Sequence, residues 1–386
     1  MRGTLRAESA VSGTLGATAM RRETSGNHTR ELIGLGQALW LDNISRTILD
    51  DGTLARYVHD FHISGLTSNP SIFEKAIGQG TRYDEAIRHS TAKSIEAIYL
   101  ELALDDLRQA ARLFGPVQRS SHHAEGWVSL EVSPLLADDS SKTIAAVADL
   151  HCRAVCKNFF IKIPGTPAGM RAIEESLFAG IPINVTLLFS REQYRAAAEA
   201  WMRAIERRIQ AGLDPHVESV ASLFVSRWDL AVNDRVSASL RNYLGIAVAR
   251  HTYRAYRDLL ESPRTQALIK HGARPQRLLW ASTGTKDPGA SDTLYVEALA
   301  APDTINTLPD KTLQAFADHG TIVAPLARDG GDADRVLAEF AYAHIDLDAL
   351  AQKLQRDGVA AFVKSWHALL NEIENKRVQR RRAIAS

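Results

Sequence analysis

Seven polar residues stand at or near the ends of short apolar segments whose other residues suit the interior of a sheet. A lysine, two acids and several hydroxyl or amide groups in such positions could carry acid–base and nucleophilic chemistry. The carboxyl ends of parallel strands gather at one face of a barrel, so residues far apart in the chain would meet there. The seven residues are Asp42, Asn69, Glu131, Lys162, Thr186, Ser222 and Ser282.

Lys162 has the most specific surroundings of the seven, because its segment reads Phe-Phe-Ile-Lys-Ile over residues 159–163. Burial disfavours a charged ammonium, and a neutral amine is the species that attacks a carbonyl to form a Schiff base. Asp42 and Glu131, expected at the same face, would supply the proton transfers that imine chemistry needs. The alternative is a lysine that extends from a strand end to water or pairs with a structural carboxylate.

The other polar residues also have ordinary structural explanations. Asp42 could be a turn or helix-cap residue, and Asn69 lies in Thr-Ser-Asn-Pro, a sequence that is typical of turns. Thr186 and Ser222 could be plain strand residues. Their convergence on one face is the feature that favours catalysis over these explanations.

A phosphate-binding region is predicted beside the reactive residues. Arg227 follows the sixth apolar segment, and Ser-Thr-Gly-Thr-Lys over residues 282–286 follows the seventh. Arg and Lys supply charge to a phosphate, while such a loop offers hydroxyl and backbone N–H groups. A solvated loop would have the same composition, and no Walker pattern is present.

The elements that must position these residues are short apolar segments alternating with amphipathic helices. This alternation predicts βαβ units and a parallel sheet. Eight units over roughly 280 residues favour an α/β fold of the (β/α)8 TIM barrel type with extra helices. A doubly wound sheet is disfavoured because no Gly-x-Gly-x-x-Gly follows the first segment. The predicted strands are 38–41, 65–67, 127–132, 159–163, 183–189, 220–225, 278–282 and one around 304–306 that ends at 308–309.

Two of the intervening helices have clear boundary signals. Ser190 is placed to cap a helix over residues 191–209, with Gln193 at the capping-box position. Gly180 follows a second helix, predicted over residues 166–179, where a glycine commonly ends the helix.

The barrel is expected over residues 31–320, and three stretches add to it. Residues 1–30, rich in Ser, Thr, Gly, Ala and Arg, are predicted to be a flexible leader. Residues 71–125 are predicted to be a helical insertion after the second strand. Residues 321–386 are predicted to be a helical extension that packs on the barrel.

Composition excludes several classes of protein. The 386 residues are 45% hydrophobic and 24% charged with a net charge of +1, which is ordinary for a globular protein and excludes disordered or collagen-like chains. The balanced charge argues against nucleic acid as a partner, and the basic cluster at 376–382 is predicted to be a solvated helix end. No apolar run approaches the ~18 residues of a membrane span. Cys152 and Cys156 fit a reduced, cytoplasmic protein, and no second His/Cys pair accompanies them to hold a metal.

Seven stretches, in order, resemble the transaldolase family, in its long-chain bacterial subgroup, over about residues 31–320. They are Trp-Leu-Asp-Asn-Ile-Ser at 40–45, Gly-Leu-Thr-Ser-Asn-Pro-Ser-Ile-Phe at 65–73, Val-Ser-Leu-Glu-Val-Ser at 128–133, Ile-Lys-Ile-Pro-Gly-Thr at 161–166, Asn-Val-Thr-Leu-Leu-Phe-Ser at 184–190, Ser-Leu-Phe-Val-Ser-Arg at 222–227 and Trp-Ala-Ser-Thr-Gly-Thr-Lys at 280–286.

The resemblance implies an imine-forming transfer of a dihydroxyacetone unit in the non-oxidative pentose phosphate pathway. The donor would be a ketose phosphate such as sedoheptulose 7-phosphate or fructose 6-phosphate. The acceptor would be an aldose phosphate such as glyceraldehyde 3-phosphate or erythrose 4-phosphate. No metal or organic cofactor is expected, because the protonated imine is the electron sink.

The resemblance also implies a role for each candidate residue. Lys162 would be the Schiff-base nucleophile, and Asp42 would take the proton of the C4 hydroxyl during carbon–carbon cleavage. Glu131 would act through a water held by Thr186 when the carbinolamine forms and breaks down. The substrate-binding residues would be Asn69 and Asn184 for the three-carbon unit and the lysine, Ser222 for the terminal hydroxyl, and Arg227, Ser282 and Lys286 for the phosphate.

The sequence departs from the family's common pattern at two places. Leu223 and Ser226 stand where the sixth-strand motif often has Pro and Gly. Lys286 is the cation near Ser282, where an Arg is common. Lysine lacks the two-pronged geometry of a guanidinium, so the phosphate contacts are expected to differ.

Two other functions fit the same residues. A lysine-dependent sugar-phosphate aldolase would release its three-carbon product rather than transfer it, whereas residues for an acceptor phosphate favour transfer. A non-catalytic sugar-phosphate-binding barrel would be expected to have lost Lys162, Asp42 or Glu131, and all three are present. The sequence does not distinguish a monomer from a homodimer.

Overall fold

A computed structural model of the protein describes residues 27–385, with side chains described over 28–378. Eight parallel strands close into a barrel in the order of the chain, which confirms the predicted (β/α)8 fold. The strands are β1 (Ala38–Leu41), β2 (Gly65–Thr67), β3 (Trp127–Glu131), β4 (Phe159–Pro164), β5 (Ile183–Leu188), β6 (Ser219–Phe224), β7 (Arg277–Ala281) and β8 (Thr304–Leu308).

The strands are buried on both faces, since side chains fill the barrel on one side and helices cover the other. The helices span Asn27–Gly34, Arg46–Asp50, Thr53–Asp60, Pro70–Gly78, Asp84–His89, Ile95–Leu113, Gly115–Ser120, Ser140–Ala154, Pro167–Phe178, Arg191–Gln210, Ser226–Val232, Leu244–Glu261, Pro263–Lys270, Leu294–Ala298, Asp310–His319, Ala333–Tyr342 and Leu347–Ala385. In the part of the chain from 27 onward that is described, none of these helices could cross a membrane.

Strand boundaries agree with the prediction to within one residue. The prediction that β7 includes Ser282 was wrong, because the backbone of this residue turns into the left-handed region with φ +58° and leaves the sheet. In β5 the pairing with β6 shifts register between Val185 and Leu188, and Leu187 also has φ +58°. This β-bulge changes the direction in which the neighbouring side chains point.

The predicted helix caps are present. Ser190 accepts a hydrogen bond from Gln193 N at 3.1 Å, and the side chain of Gln193 accepts one from Phe189 N at 2.7 Å. Thr166 caps the helix Pro167–Phe178, which Gly180 follows with φ +85°. These reciprocal bonds satisfy N–H groups that the first helical turn leaves free.

Helices occupy both stretches that the sequence assigned to extra helical structure. Four of them lie between β2 and β3, and two, Ala333–Tyr342 and Leu347–Ala385, lie within residues 321–386. The helix Asn27–Gly34 begins within the predicted leader, whose residues 1–26 lie outside the described part of the chain.

Leu347–Ala385, called the long helix below, crosses the carboxyl face of the barrel and packs along the helix Pro70–Gly78. Gln355 Nε2 donates to Gly165 O at 2.8 Å and to Leu187 O at 3.0 Å, which ties the helix to the ends of β4 and β5.

Lys376, predicted to be part of a solvated helix end, is instead mostly buried. Its Nζ donates to Gly80 O and to Asp84, because the long helix packs against the helices that follow β2. The basic side chains at 380–382 lie outside the described side chains.

Aromatic side chains form an apolar layer inside the barrel below the carboxyl face. The rings of Trp127 and Phe160 lie 4.4 Å apart between centroids, and those of Trp40 and Phe160 lie 6.0 Å apart. Gly65 gives this layer its space, because a methyl group there would lie 2.7 Å from Trp40 Cε2 and 2.8 Å from Trp127 O.

Gly65→Ala is therefore expected to destabilise the barrel. Overpacking of this kind lowers the free energy of unfolding by about 1–3 kcal/mol, measurable by urea denaturation. Gly34→Ala is the matched control, since no atom lies within 4 Å of the added methyl group. The control is expected to be as stable as the parent or more stable, and an equal loss in both variants would contradict this account of the layer.

Candidate active site

A cavity of about 770 Å³ opens at the carboxyl ends of the strands, beneath the long helix. All the predicted site residues line it except Glu131 and Asn184. The predicted residues in its wall are Asp42, Asn69, Lys162, Thr186, Ser222, Arg227, Ser282 and Lys286. Residues from six strands or the loops after them thus meet at one place.

Lys162 points from β4 into the barrel and is only 5% exposed. In the register of the sheet it lies opposite Glu131 on β3 and Asn184 on β5, so the three residues share one level. Its Nζ donates to Ser68 O at 3.0 Å and lies 3.9 Å from Glu131 Oε2. The lysine is therefore held at the base of the cavity, where it forms a long ion pair with Glu131.

Glu131 and Thr186 have polar atoms without hydrogen-bond partners close to the layer of the barrel that contains Lys162. Both carboxylate oxygens of Glu131 and the hydroxyl of Thr186 are buried without a hydrogen-bond partner among the described residues. Burial raises the pKa of Glu131 to about 7; the charge of Lys162 acts against this rise and Asp42 adds to it. A carboxyl group with such a pKa can give or take a proton near neutrality.

Asp42 lies just after β1, half-buried in the cavity wall. Its Oδ1 accepts a hydrogen bond from Thr67 Oγ1 at 2.8 Å, and that hydroxyl also contacts Thr307 Oγ1 at 2.7 Å. Loss of surrounding water raises the pKa of Asp42, although Lys162 lowers it. Asp42 caps no helix, because Ser45 caps the helix that follows.

The amide side chains differ in what they contact. Asn69 caps the helix Pro70–Gly78 by accepting a hydrogen bond from Ile72 N at 3.1 Å. It also lines the cavity, so its structural role in the turn and its predicted position in the site are both observed. Asn184 lies deeper, where its Oδ1 accepts from Ser222 Oγ at 2.8 Å and its Nδ2 donates to Ser129 Oγ at 3.3 Å.

The predicted phosphate region lies at the rim. Arg227 is half-buried with its guanidinium 5.4 Å from the ring of Phe224, and burial lowers its pKa. The hydroxyls of Ser226 and Ser282 lie 3.0 Å apart. Because Ser226 stands where the family motif often has glycine, it adds a hydroxyl to this region. Lys286 is exposed at the same rim.

Other residues of the wall were missed by the sequence reasoning. The polar ones are Thr67, Ser71, Lys75, Ser226, Thr307, Lys353 and Asp357. Thr67 and Thr307 stand at strand ends, so the signal that marked the other residues was present in them. Lys353 and Asp357 belong to the long helix, and only its packing across the barrel brings them to the cavity.

The region around the cysteines has no metal-binding geometry. Cys152 is exposed and Cys156 is half-buried, and both are free thiols. Over residues 27–385, no three His, Cys, Asp or Glu side chains are grouped so that they could hold a metal ion.

The raised pKa of Glu131 predicts a pH-dependent stability. The pKa is about 7 in the folded protein against an ordinary 4.5, so the folded state holds this proton more tightly. The contribution to the free energy of unfolding is complete below pH 4.5 and is lost as the pH rises toward 7. Urea denaturation at stepped pH should therefore show the parent losing stability relative to Glu131→Gln over this interval. A pH-independent difference between the two proteins would contradict the assignment.

Comparison with known proteins agrees with the geometry. A family model described as Transaldolase/Fructose-6-phosphate aldolase matches residues 39–373. Proteins named "Transaldolase" from Thiobacillus denitrificans and Thermobifida fusca are 44% and 42% identical over 90% of this chain, covering 99% and 98% of their own lengths. A protein named "Transaldolase 2" from a Nostoc species is 37% identical over 91% of this chain and 97% of its own length. The resemblance predicted from the motifs is confirmed, and the chain belongs to the transaldolase/fructose-6-phosphate aldolase family.

Proposed function

We propose that this protein is a transaldolase that transfers a dihydroxyacetone unit between sugar phosphates through a Schiff base on Lys162. It is a transferase of the pentose phosphate pathway, acting on sedoheptulose 7-phosphate or fructose 6-phosphate as donors and on glyceraldehyde 3-phosphate or erythrose 4-phosphate as acceptors. The observation that carries the proposal is the buried Lys162 at the base of the cavity, with Glu131 and Asp42 within its electrostatic reach.

In the first step, Lys162 Nζ attacks the C2 carbonyl carbon of the ketose and forms a carbinolamine. Loss of the former carbonyl oxygen as water leaves the protonated imine. The unpaired oxygens of Glu131 and the hydroxyl of Thr186 can hold the water that carries protons in this step. With a pKa of about 7, Glu131 can donate the proton to the leaving oxygen and take one back on hydrolysis.

In the second step, Asp42 takes the proton of the C4 hydroxyl, and the C3–C4 bond breaks. Its electron pair moves into the protonated imine, which becomes an enamine, and the aldose phosphate leaves. In the transfer direction the enamine carbon attacks the acceptor aldehyde, and Asp42 returns the proton to the new hydroxyl. A raised pKa makes this carboxylate a stronger base, which suits a group that must accept a proton and return it.

The remaining residues are proposed to hold the substrate. Ser222 and Asn184, joined by their hydrogen bond, would hold the terminal hydroxyl and the three-carbon unit, and Asn69 would contact the same unit from the opposite wall. The phosphate would lie at the rim against Arg227, Ser282 and Lys286, where charge and hydroxyl donors converge.

An aldolase remains the second candidate, because the family description covers both activities. Transfer is favoured because the relatives that match over nearly their whole length are named for it. A non-catalytic barrel is disfavoured by the buried carboxylate of Glu131, because buried oxygens without hydrogen-bond partners are unfavourable for stability.

We further propose that the protein works in the cytoplasm, as a monomer or a homodimer, with sugar phosphates as its partners and no nucleic acid. The free thiols of Cys152 and Cys156 support a reducing compartment.

Borohydride reduction in the presence of fructose 6-phosphate tests the nucleophile. Peptide mass mapping should find a reduced three-carbon adduct on Lys162, and Lys162→Met should carry none. Lys157→Met is the matched control, since this exposed lysine lies five residues earlier and should leave labelling unchanged. An adduct on another residue of active protein, or no adduct, would overturn the proposal.

Asp42→Asn tests the proton transfer, because the amide oxygen can still accept the hydrogen bond of Thr67. We expect kcat to fall by about 10²–10⁴-fold, while borohydride still traps an adduct on Lys162 that now carries the uncleaved ketose. The exposed Asp50→Asn is the control and should keep the parent's kcat. Loss of imine formation in Asp42→Asn would mean that the role of Asp42 lies in an earlier step.

A further inference from the structure

The long helix brings an ion pair to the cavity that the proposed chemistry does not use. Lys353 and Asp357 lie one helical turn apart, both line the cavity, and the ammonium of Lys353 donates to the carboxylate of Asp357. Their side chains are 62% and 54% exposed. An exposed pair at this spacing is weak and exchanges easily with other partners.

The pair lies directly beside the proposed phosphate region. Gly358 follows Asp357, and a methyl group added to it would lie 3.5 Å from Arg227 Nη1 and 2.9 Å from Leu187 Cδ2. The carboxylate of Asp357 interacts electrostatically with the guanidinium of Arg227. The two bonds of Gln355 fix this turn of the helix to the barrel, so the pair is held in place.

A carboxylate at this position is unfavourable for a bound phosphate. Arg227 and Lys286 attract a phosphate dianion, whereas Asp357 repels it and competes for Arg227. Lys353 neutralises Asp357 in the free protein. A bound phosphate that attracts Lys353 would therefore replace the Lys353–Asp357 ion pair. The new contact joins the ammonium to a group of higher charge and is stronger.

We propose that Lys353 is a further phosphate-binding residue and that Asp357 is the counter-ion from which the substrate's phosphate displaces it. The proposal rests on the proposed function for the identity of the phosphate-bearing ligand. Because only an anion would separate Lys353 from Asp357, the ion pair would favour the binding of phosphorylated sugars over neutral sugars of the same shape.

The test is calorimetric titration of the full chain with inorganic phosphate at low ionic strength. Lys353→Met should weaken phosphate binding and Asp357→Asn should strengthen it, each by about two- to fivefold, the range for an exposed charge pair. Lys353→Arg, which keeps the charge, should bind phosphate nearly as the parent does. Both effects should shrink at high salt, because exposed charges are screened.

Matched controls lie on the same helix outside the cavity wall. Lys364→Met and Glu374→Gln remove exposed charges there and should leave phosphate binding unchanged. Lys75→Met removes a cation from a different part of the wall. An effect equal to that of Lys353→Met would overturn the proposal in favour of a general attraction by the cavity.

Two other outcomes would also overturn it. Equal weakening by Lys353→Met and Asp357→Asn would mean that the pair merely supports the helix, and no change in either would exclude any role in binding. In turnover, Lys353→Met should raise KM for the phosphorylated donor more than it lowers kcat. The titration needs no turnover, so failure of the borohydride labelling would overturn the proposed function without deciding this one.

Discussion

The structure depends on one constraint, which is that a lysine and a glutamate share a buried level of a closed barrel. The register of three neighbouring strands fixes Glu131, Lys162 and Asn184 side by side. Removing two charged groups from water is costly unless their remaining polar atoms are satisfied. Here the charges are 3.9 Å apart and the carboxylate has no hydrogen-bond partner among the described residues. The register of the closed barrel holds the two groups side by side, which is the arrangement that the proposed carbonyl chemistry would use.

Polarity changes with depth along the axis of the barrel, and each level suits a different task. The deepest level holds aromatic rings, including Trp127 and Phe160, which exclude water from below. Above it lies the level of Lys162, where low exposure moves the pKa of Glu131 toward neutrality. The rim carries Arg227 and Lys286, the two cations proposed to bind the phosphate. The residues proposed for proton chemistry and those proposed for phosphate binding thus lie at different levels of one cavity.

Strand and helix alternation predicted the fold, because each strand of a parallel barrel is an apolar run that ends in polar residues. The same rule located Asp42, Lys162 and Thr186 in advance. It missed features that arise from backbone geometry and tertiary packing. The left-handed turn at Ser282 cannot be inferred from a serine, which rarely adopts it. The helical extension at 321–386 was predicted to pack on the barrel, but nothing in the sequence indicated that it would cross the carboxyl face.

The long helix also determines when the cavity is completed during synthesis. Lys353 follows Asp42 by 311 residues, which corresponds to roughly 15–60 s of translation at typical rates. Leu354 and Phe362 of this helix belong to the same buried cluster as Leu187 and Phe224 of the barrel. Until the helix emerges from the ribosome, these barrel residues lack their cover. During synthesis, these apolar barrel residues therefore wait for the partners that bury them in the folded protein.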